Sequence, residues 1–254
     1  MGHNLRGGPA IQVDGLNVTF GDFVAIPSLS FVAFYGEIHG VIGPNGAGKT
    51  TLLDVITGKT RPRSGTVMLD GNIDLLQLSE PKIALAGVGR KFQKPSVFEA
   101  LSVRENLELA LRLRPRSILS ELRAWADPRR AKRAEEVLEE IGLNDRANDP
   151  AGILAHGQKQ WLEIGMLLMQ RPKLLMLDEP VAGMTDSETA HTADLVRRLR
   201  APDRAILGLE HEMAFVEEIA DKVTVLHEGA PIFEGRMSAA RADSRVREVY
   251  LGRH

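Results

Sequence analysis

At 254 residues with 43% hydrophobic side chains, the chain has length and apolar content for one large or two small globular domains with a packed core. Thirty-two basic against 34 acidic residues leave a net charge of −2, so no global field favours nucleic acid or an anionic membrane surface. There are no cysteines, which excludes disulfides and thiolate metal sites and is compatible with a reducing compartment. No uncharged apolar run approaches the roughly 18 residues of a membrane span, and the first ten residues lack a signal-peptide core, so the expected location is cytoplasmic.

Residues 1–10 are polar and glycine-rich and are expected to form a flexible tail. From Ile11 to Phe34, alternation such as Ile11 and Val13, then Leu29 and Phe31, predicts two antiparallel strands. An apolar strand follows at Ile38–Ile42, then a glycine-rich loop, then a helical run from Thr50 to Thr57. Gly65–Gly71 reads as a short strand closed by a turn, and Ser79-Glu-Pro81 carries the cap and first-turn proline of a helix that Gly87 ends.

Between Pro95 and Asp149 charged helical repeats replace strands. The basic runs Arg112, Arg114 and Arg116, then Arg129, Arg130, Lys132 and Arg133, interleaved with Glu135, Glu136, Glu139 and Glu140, read as solvated helix faces rather than a contact patch. After Gln158 a helix runs through Met169, and Leu174–Leu177 is the continuous apolar run of a buried parallel strand. Helix (187–200), strand (205–209), helix (213–220), strand (222–226) and a helical end (238–251) follow, an α/β alternation with a mainly parallel sheet. The expected division is an α/β core (11–94 and 172–254) and an inserted α-helical subdomain (95–171).

The loop Gly43-Pro-Asn-Gly-Ala-Gly-Lys-Thr50 has the spacing and the strand–loop–helix context of a P-loop. Glycines let successive N–H groups curl inward, and a helix N-terminus adds positive potential for phosphate. Gly43, Pro44, Asn45, Gly46, Ala47, Gly48, Lys49, Thr50 and Thr51 are therefore the candidate nucleotide-binding residues, with Lys49 reaching the β- and γ-phosphates and Thr50 ligating Mg²⁺. Asp178 and Glu179 stand at the C-terminal end of the later apolar strand, the edge where open α/β sheets bind ligands. Asp178 is placed to hold Mg²⁺ through water. Glu179, pointing the other way along the pleat, is placed to orient or deprotonate an attacking water; a solvated turn is the bland alternative.

With these two motifs in order the chain resembles the ATP-binding cassette (ABC) family over nearly its whole length, specifically the fold of a P-loop NTPase core with an N-terminal antiparallel β subdomain and an inserted helical subdomain. The resemblance places Gln93, in Gly89-Arg-Lys-Phe-Gln93, at the glutamine loop, which touches the metal and links nucleotide state to the helical subdomain. It places Ala155, His156, Gly157 and Gln158 in the signature loop, usually LSGGQ, which grips the γ-phosphate of a second cassette. Phe20 takes the adenine-stacking position, against the alternative of a core phenylalanine, and His211 takes the switch-histidine position. A zinc reading of His211-Glu212 fails because Phe215 stands where a second histidine is needed. Glu179, His211, Gln93 and Lys49 are then the catalytic set, with ATP and Mg²⁺ as ligands.

Ala155 replaces the family's serine, and Thr185 stands where many members carry aspartate. The implied partners are a second ABC ATPase, identical or related, membrane permease subunits that dock beside Gln93, and indirectly a periplasmic solute-binding protein. Val97 and Phe98 either contribute to that docking groove or pack beneath the loop. The strings Glu179–Thr185 and Val246–Gly252 resemble the urea and branched-chain amino-acid importer group. His156 with Gln158–Ile164, and Gly89–Phe98, look like the urea subunit, so the expected solute is urea or a short amide, with branched-chain amino acids as the alternative. A soluble ATP-driven clamp acting on ribosomes or DNA is the rival of a different class, but two cassettes in one chain or long coiled-coil arms are missing. A module that binds nucleotide and hydrolyses little is suggested by Ala155 and opposed by the presence of Glu179 and His211.

Overall fold

The computed structural model describes residues 8–91, 96–111 and 128–251. They form two compact units. One holds residues up to 90, 173–180 and 200 onward; the other holds 91–172 and 181–199. The helical unit is thus longer than the 95–171 insertion expected from sequence, since it also gathers 181–199.

The first unit opens with the hairpin of β1 (Pro9–Phe20) and β2 (Phe23–Phe34). Ala10 is fully buried and the N–H of Tyr35 donates to the carbonyl of Gly8, so the fold begins inside the stretch 1–10 that composition assigns to a tail. β3 (Ile38–Ile42) is buried at all five positions, as a central strand covered on both faces must be. It leads into the P-loop and α1 (Lys49–Ile56), whose Leu52, Leu53, Val55 and Ile56 are buried. β4 (Ser64–Leu69) and the short β5 (Ile73–Asp74) complete a four-stranded antiparallel sheet in the order β2-β1-β4-β5. α2 (Glu80–Ala86) has Ser79 at its N-cap, a proline in its first turn and Gly87 at its C-cap with φ +110°, the punctuation expected from sequence. Ser79 makes no side-chain cap bond. β6 (Val88–Lys91) follows.

In the helical unit α3 (Val103–Ala110), α4 (Pro128–Ile141) and α5 (His156–Leu168) pack pairwise. Arg130 and Arg133 were expected on a solvated face. Arg130 is instead buried and donates to the carbonyl of Leu111, while Arg133 donates to the carbonyl of Leu168. Long guanidinium side chains here satisfy backbone acceptors in the subdomain, which charge alternation in the sequence does not reveal. Arg112, Arg114 and Arg116 lie outside the described residues.

β7 (Leu174–Asp178) returns the chain to the first unit, and α6 (Asp186–Arg198) belongs to the helical one. β8 (Ala205–Glu210), α7 (Met213–Ile219), β9 (Lys222–His227), β10 (Ala230–Gly235), α8 (Met237–Ala242) and α9 (Ser244–Leu251) close the chain. The second sheet runs β10-β9-β3-β8-β7-β6, with β9, β3, β8 and β7 mutually parallel and β10 antiparallel to β9. One apolar cluster joins both sheets to α1; another packs Ile42, Val223 and Val225 against Val216, Met237, Ala240 and Val246.

Candidate functional site

The strand order decides which side chains meet. β8 lies between β3 and β7, with Glu210 opposite Ile42 and Leu209 opposite Asp178. The C-terminal ends of three parallel strands therefore bring Gly43, Asp178-Glu179 and Glu210-His211 to one edge of the sheet, although they are spread over more than half the sequence.

Gly43 is set against the neighbouring strand so tightly that a Cβ there would lie 2.4 Å from the carbonyl oxygen of Leu226. Gly48 is the N-cap of α1 at φ +94°, a left-handed conformation that favours glycine, and no side chain caps the helix. The N–H groups of the first turn of α1 are thus left for an outside acceptor. The Lys49 ammonium is folded back on the same loop, donating to the carbonyls of Gly43 and Pro44, the latter at 3.1 Å. Burial pushes Lys49 below the usual lysine range, opposed by the carboxylates of Glu179, Glu210 and Asp178. Ala47 is buried, while Asn45, Gly46 and Thr50 are exposed, and Thr51 follows half-buried in the first turn. This donor set fits a polyphosphate, and the Thr50 hydroxyl and the Asp178 carboxylate are hard oxygen donors of the kind Mg²⁺ takes.

Asp178 is 3% exposed and its Oδ2 accepts from Arg90 Nη2 at 2.9 Å. Glu179 leaves the pleat: its backbone stands at φ +47° and its N–H donates to the carbonyl of Leu209. Its direction is set by a left-handed turn instead of by the strand alternation expected from sequence. His211 Nδ1 lies 3.6 Å from Glu179 Oε1 and 3.8 Å from Glu210 Oε2. These are ion-pair distances, longer than a hydrogen bond. Glu210, Asp54 and Arg90 were not singled out from sequence. Their only signals were position: Glu210 ends an apolar strand beside His211, and Arg90 stands three residues before Gln93. Gln93 itself lies outside the described residues.

Phe20 is half exposed, as is its cross-strand partner Phe23, so it is not the core phenylalanine of the alternative reading. Their hairpin runs close to the P-loop: a Cβ on Gly48 would lie 3.3 Å from the carbonyl oxygen of Ala25.

The signature residues stand in the helical unit. Ala155 is the N-cap of α5, and its N–H donates to Gln158 Oε1 at 3.1 Å. The reciprocal bond of a capping box is missing because alanine offers no oxygen. His156 Nε2 is 2.8 Å from Gln160 Nε2. The N–H of Gly157 donates to Glu188, whose carboxylate also accepts from the N–H and hydroxyl of Thr185, each at 2.9 Å. Those bonds, led by the Thr185 N–H, hold the Glu188 carboxyl below its ordinary value. Glu188 thereby ties the cap of α6 to the first turn of α5.

Residues 26–182 match the ABC transporter family. The chain is 37% identical, over 251 residues covering 96% of it and 98% of each relative, to the high-affinity branched-chain amino acid transport ATP-binding proteins BraF of Pseudomonas aeruginosa and LivG of Escherichia coli. Its fold superposes on the ADP conformation of MJ1267, an ATP-binding cassette of an ABC transporter, with a TM-score of 0.84 at 29% identity, covering 96% of this chain and 99% of that one. With P-loop, carboxylate pair and histidine gathered on one sheet edge, the chain belongs to the ABC transporter family and is one of its ATP-hydrolysing cassettes.

Proposed function

We propose that the chain is the ATPase subunit of an importer for branched-chain amino acids. The observation that carries this reading is the 37% identity to BraF and LivG over nearly the full length of all three chains. It supports the branched-chain alternative over urea or a short amide. Among the described residues no helix is long and apolar enough to cross a membrane, so the transport path is supplied by permease subunits, with a solute-binding protein selecting the solute. The cassette then works on the cytoplasmic face. Phe98, 56% exposed with its backbone pinned by Asn106, supports docking of a permease over packing beneath the loop.

Within the chain, the P-loop N–H groups and Lys49 bind the triphosphate, trading the loop carbonyls for phosphate oxygens. Phe20 stacks on the adenine. Thr50 and Asp178, with Gln93, would hold Mg²⁺, which would supply neutralisation of phosphate charge. Glu179 takes a proton from the attacking water, and His211, set beside the Glu179 and Glu210 carboxylates, orients the γ-phosphate end of the site. A second cassette closes the site with its Ala155–Gln158 loop, since the positive end of a helix dipole suits a γ-phosphate.

Transport by the complex reconstituted with its native permease and binding protein tests the solute. Leucine uptake that depends on ATP and is unaffected by excess urea is the expected result. Uptake of urea with no leucine transport would overturn the branched-chain reading.

A further inference from the structure

Arg90 joins two carboxylates that the sequence keeps far apart. It is the third residue of β6, at the edge of the parallel sheet, and its side chain is 5% exposed. Its Nη2 meets Asp178 Oδ2 at 2.9 Å, and its Nη1 meets Asp54 Oδ1 at 2.5 Å. Asp54 stands on α1, the helix that begins with Lys49 and Thr50. One guanidinium fork therefore spans from the P-loop helix to the end of β7.

A nearly buried carboxylate such as Asp178 is held in one orientation only if a partner replaces water. Arginine is suited to this because it cannot lose its charge and its planar fork fixes direction as well as distance. Such a buried charge cluster adds little net stability. Its physical consequence is geometric: Asp54 holds one arm of the fork, and the other arm holds Asp178.

We propose that Arg90, backed by Asp54, is the positioning residue that orients Asp178 for the divalent cation, so that the metal site and the P-loop helix move as one piece. This rests on the reading of Asp178 as a carboxylate that holds Mg²⁺. Removing such a supporting contact typically costs about 10–100-fold in metal affinity.

The test is a Mn²⁺ titration, followed by electron paramagnetic resonance, of the full chain loaded with ATP in the hydrolysis-deficient Glu179→Gln background. Arg90→Met is expected to weaken Mn²⁺ binding roughly tenfold or more, and Arg90→Lys, which keeps charge and loses the fork, by less. ATP affinity in EDTA stays within about twofold in both, because the P-loop is untouched. A folded Arg90→Met chain with unchanged Mn²⁺ affinity overturns the proposal. Should that variant not fold, Asp54→Asn decides: it leaves Arg90 and Asp178 paired, and a smaller loss of Mn²⁺ affinity is expected, whereas no loss overturns the proposal. Asp178→Asn separates the two layers. If it leaves Mn²⁺ binding unchanged, the metal role of Asp178 is wrong; if it weakens binding while Arg90→Met does not, only the role of Arg90 is.

Discussion

Glu179 sits in a backbone conformation that a side chain resists, at φ +47° directly after a buried strand. A left-handed non-glycine residue costs about 1–2 kcal/mol, and glycine would relieve that at about 0.5–1 kcal/mol of extra chain entropy. Strain of this kind persists where the surrounding structure over-determines the geometry, here through the Glu179 N–H bond to Leu209 and the strand register beside it. Glu179→Gln and Glu179→Gly should both lose ATP hydrolysis by about 10²-fold or more, as expected when a general base is removed. Thermal unfolding should tell them apart. The glycine variant is expected to melt about 1–3 °C above the glutamine variant, since about 0.5–1 kcal/mol corresponds to that shift in a chain of this size. A lower midpoint for Glu179→Gly would mean the turn is unstrained.

At the scale of elements, the start of α5 has an incomplete cap. Gln158 caps the Ala155 N–H, but nothing at 155 returns a bond to the first-turn N–H groups. α6 has the complete arrangement, with Thr185 and Glu188 bonded in both directions. Ala155→Ser would complete the box on α5 at a gain of about 1 kcal/mol, raising the melting midpoint by roughly 2–4 °C. It would also offer a hydroxyl to the neighbouring cassette's γ-phosphate, so the ATPase rate of the assembled transporter is expected to rise; an unchanged rate would assign the hydroxyl to the helix cap alone. Much at this scale was legible in the sequence. Periodicity placed β3, β7 and the helices, and Pro81 with Gly87 bounded α2, because these signals are local. Arg90 was not legible, because its meaning comes from Asp54 and Asp178, which only the sheet order brings to it. Glu188 was missed for the same reason: the sequence shows a cap for α6, and only packing within the helical unit carries it to Gly157.

For the whole molecule, the sheet order β3-β8-β7 turns separated motifs into one edge, and one buried acid in the helical unit gives stability a pH dependence that net charge would not suggest. Glu163, in the middle of α5, is 6% exposed. Burial pushes its carboxyl up to about 7, opposed by the charge of the fully buried Lys91 and by a bond from the Ser96 N–H; its Oε2 has no hydrogen-bond partner. The proton is held more tightly in the folded chain than in the unfolded one, where the value is near 4.5. Stability from this group is therefore full below about pH 4.5, declines as pH rises, and is lost through about pH 7. Glutamine mimics the protonated acid at every pH. Glu163→Gln should thus stabilise the chain at pH 8 by up to about 3 kcal/mol, since each tenfold difference in proton affinity between the folded and unfolded chain is worth about 1.4 kcal/mol. The increase in melting midpoint over the parent should be several times larger at pH 8 than at pH 5. A gain that is the same at both values would show that Glu163 is ionised throughout, stabilised by Lys91 against its burial, and that the helical unit carries no titrating group at this position.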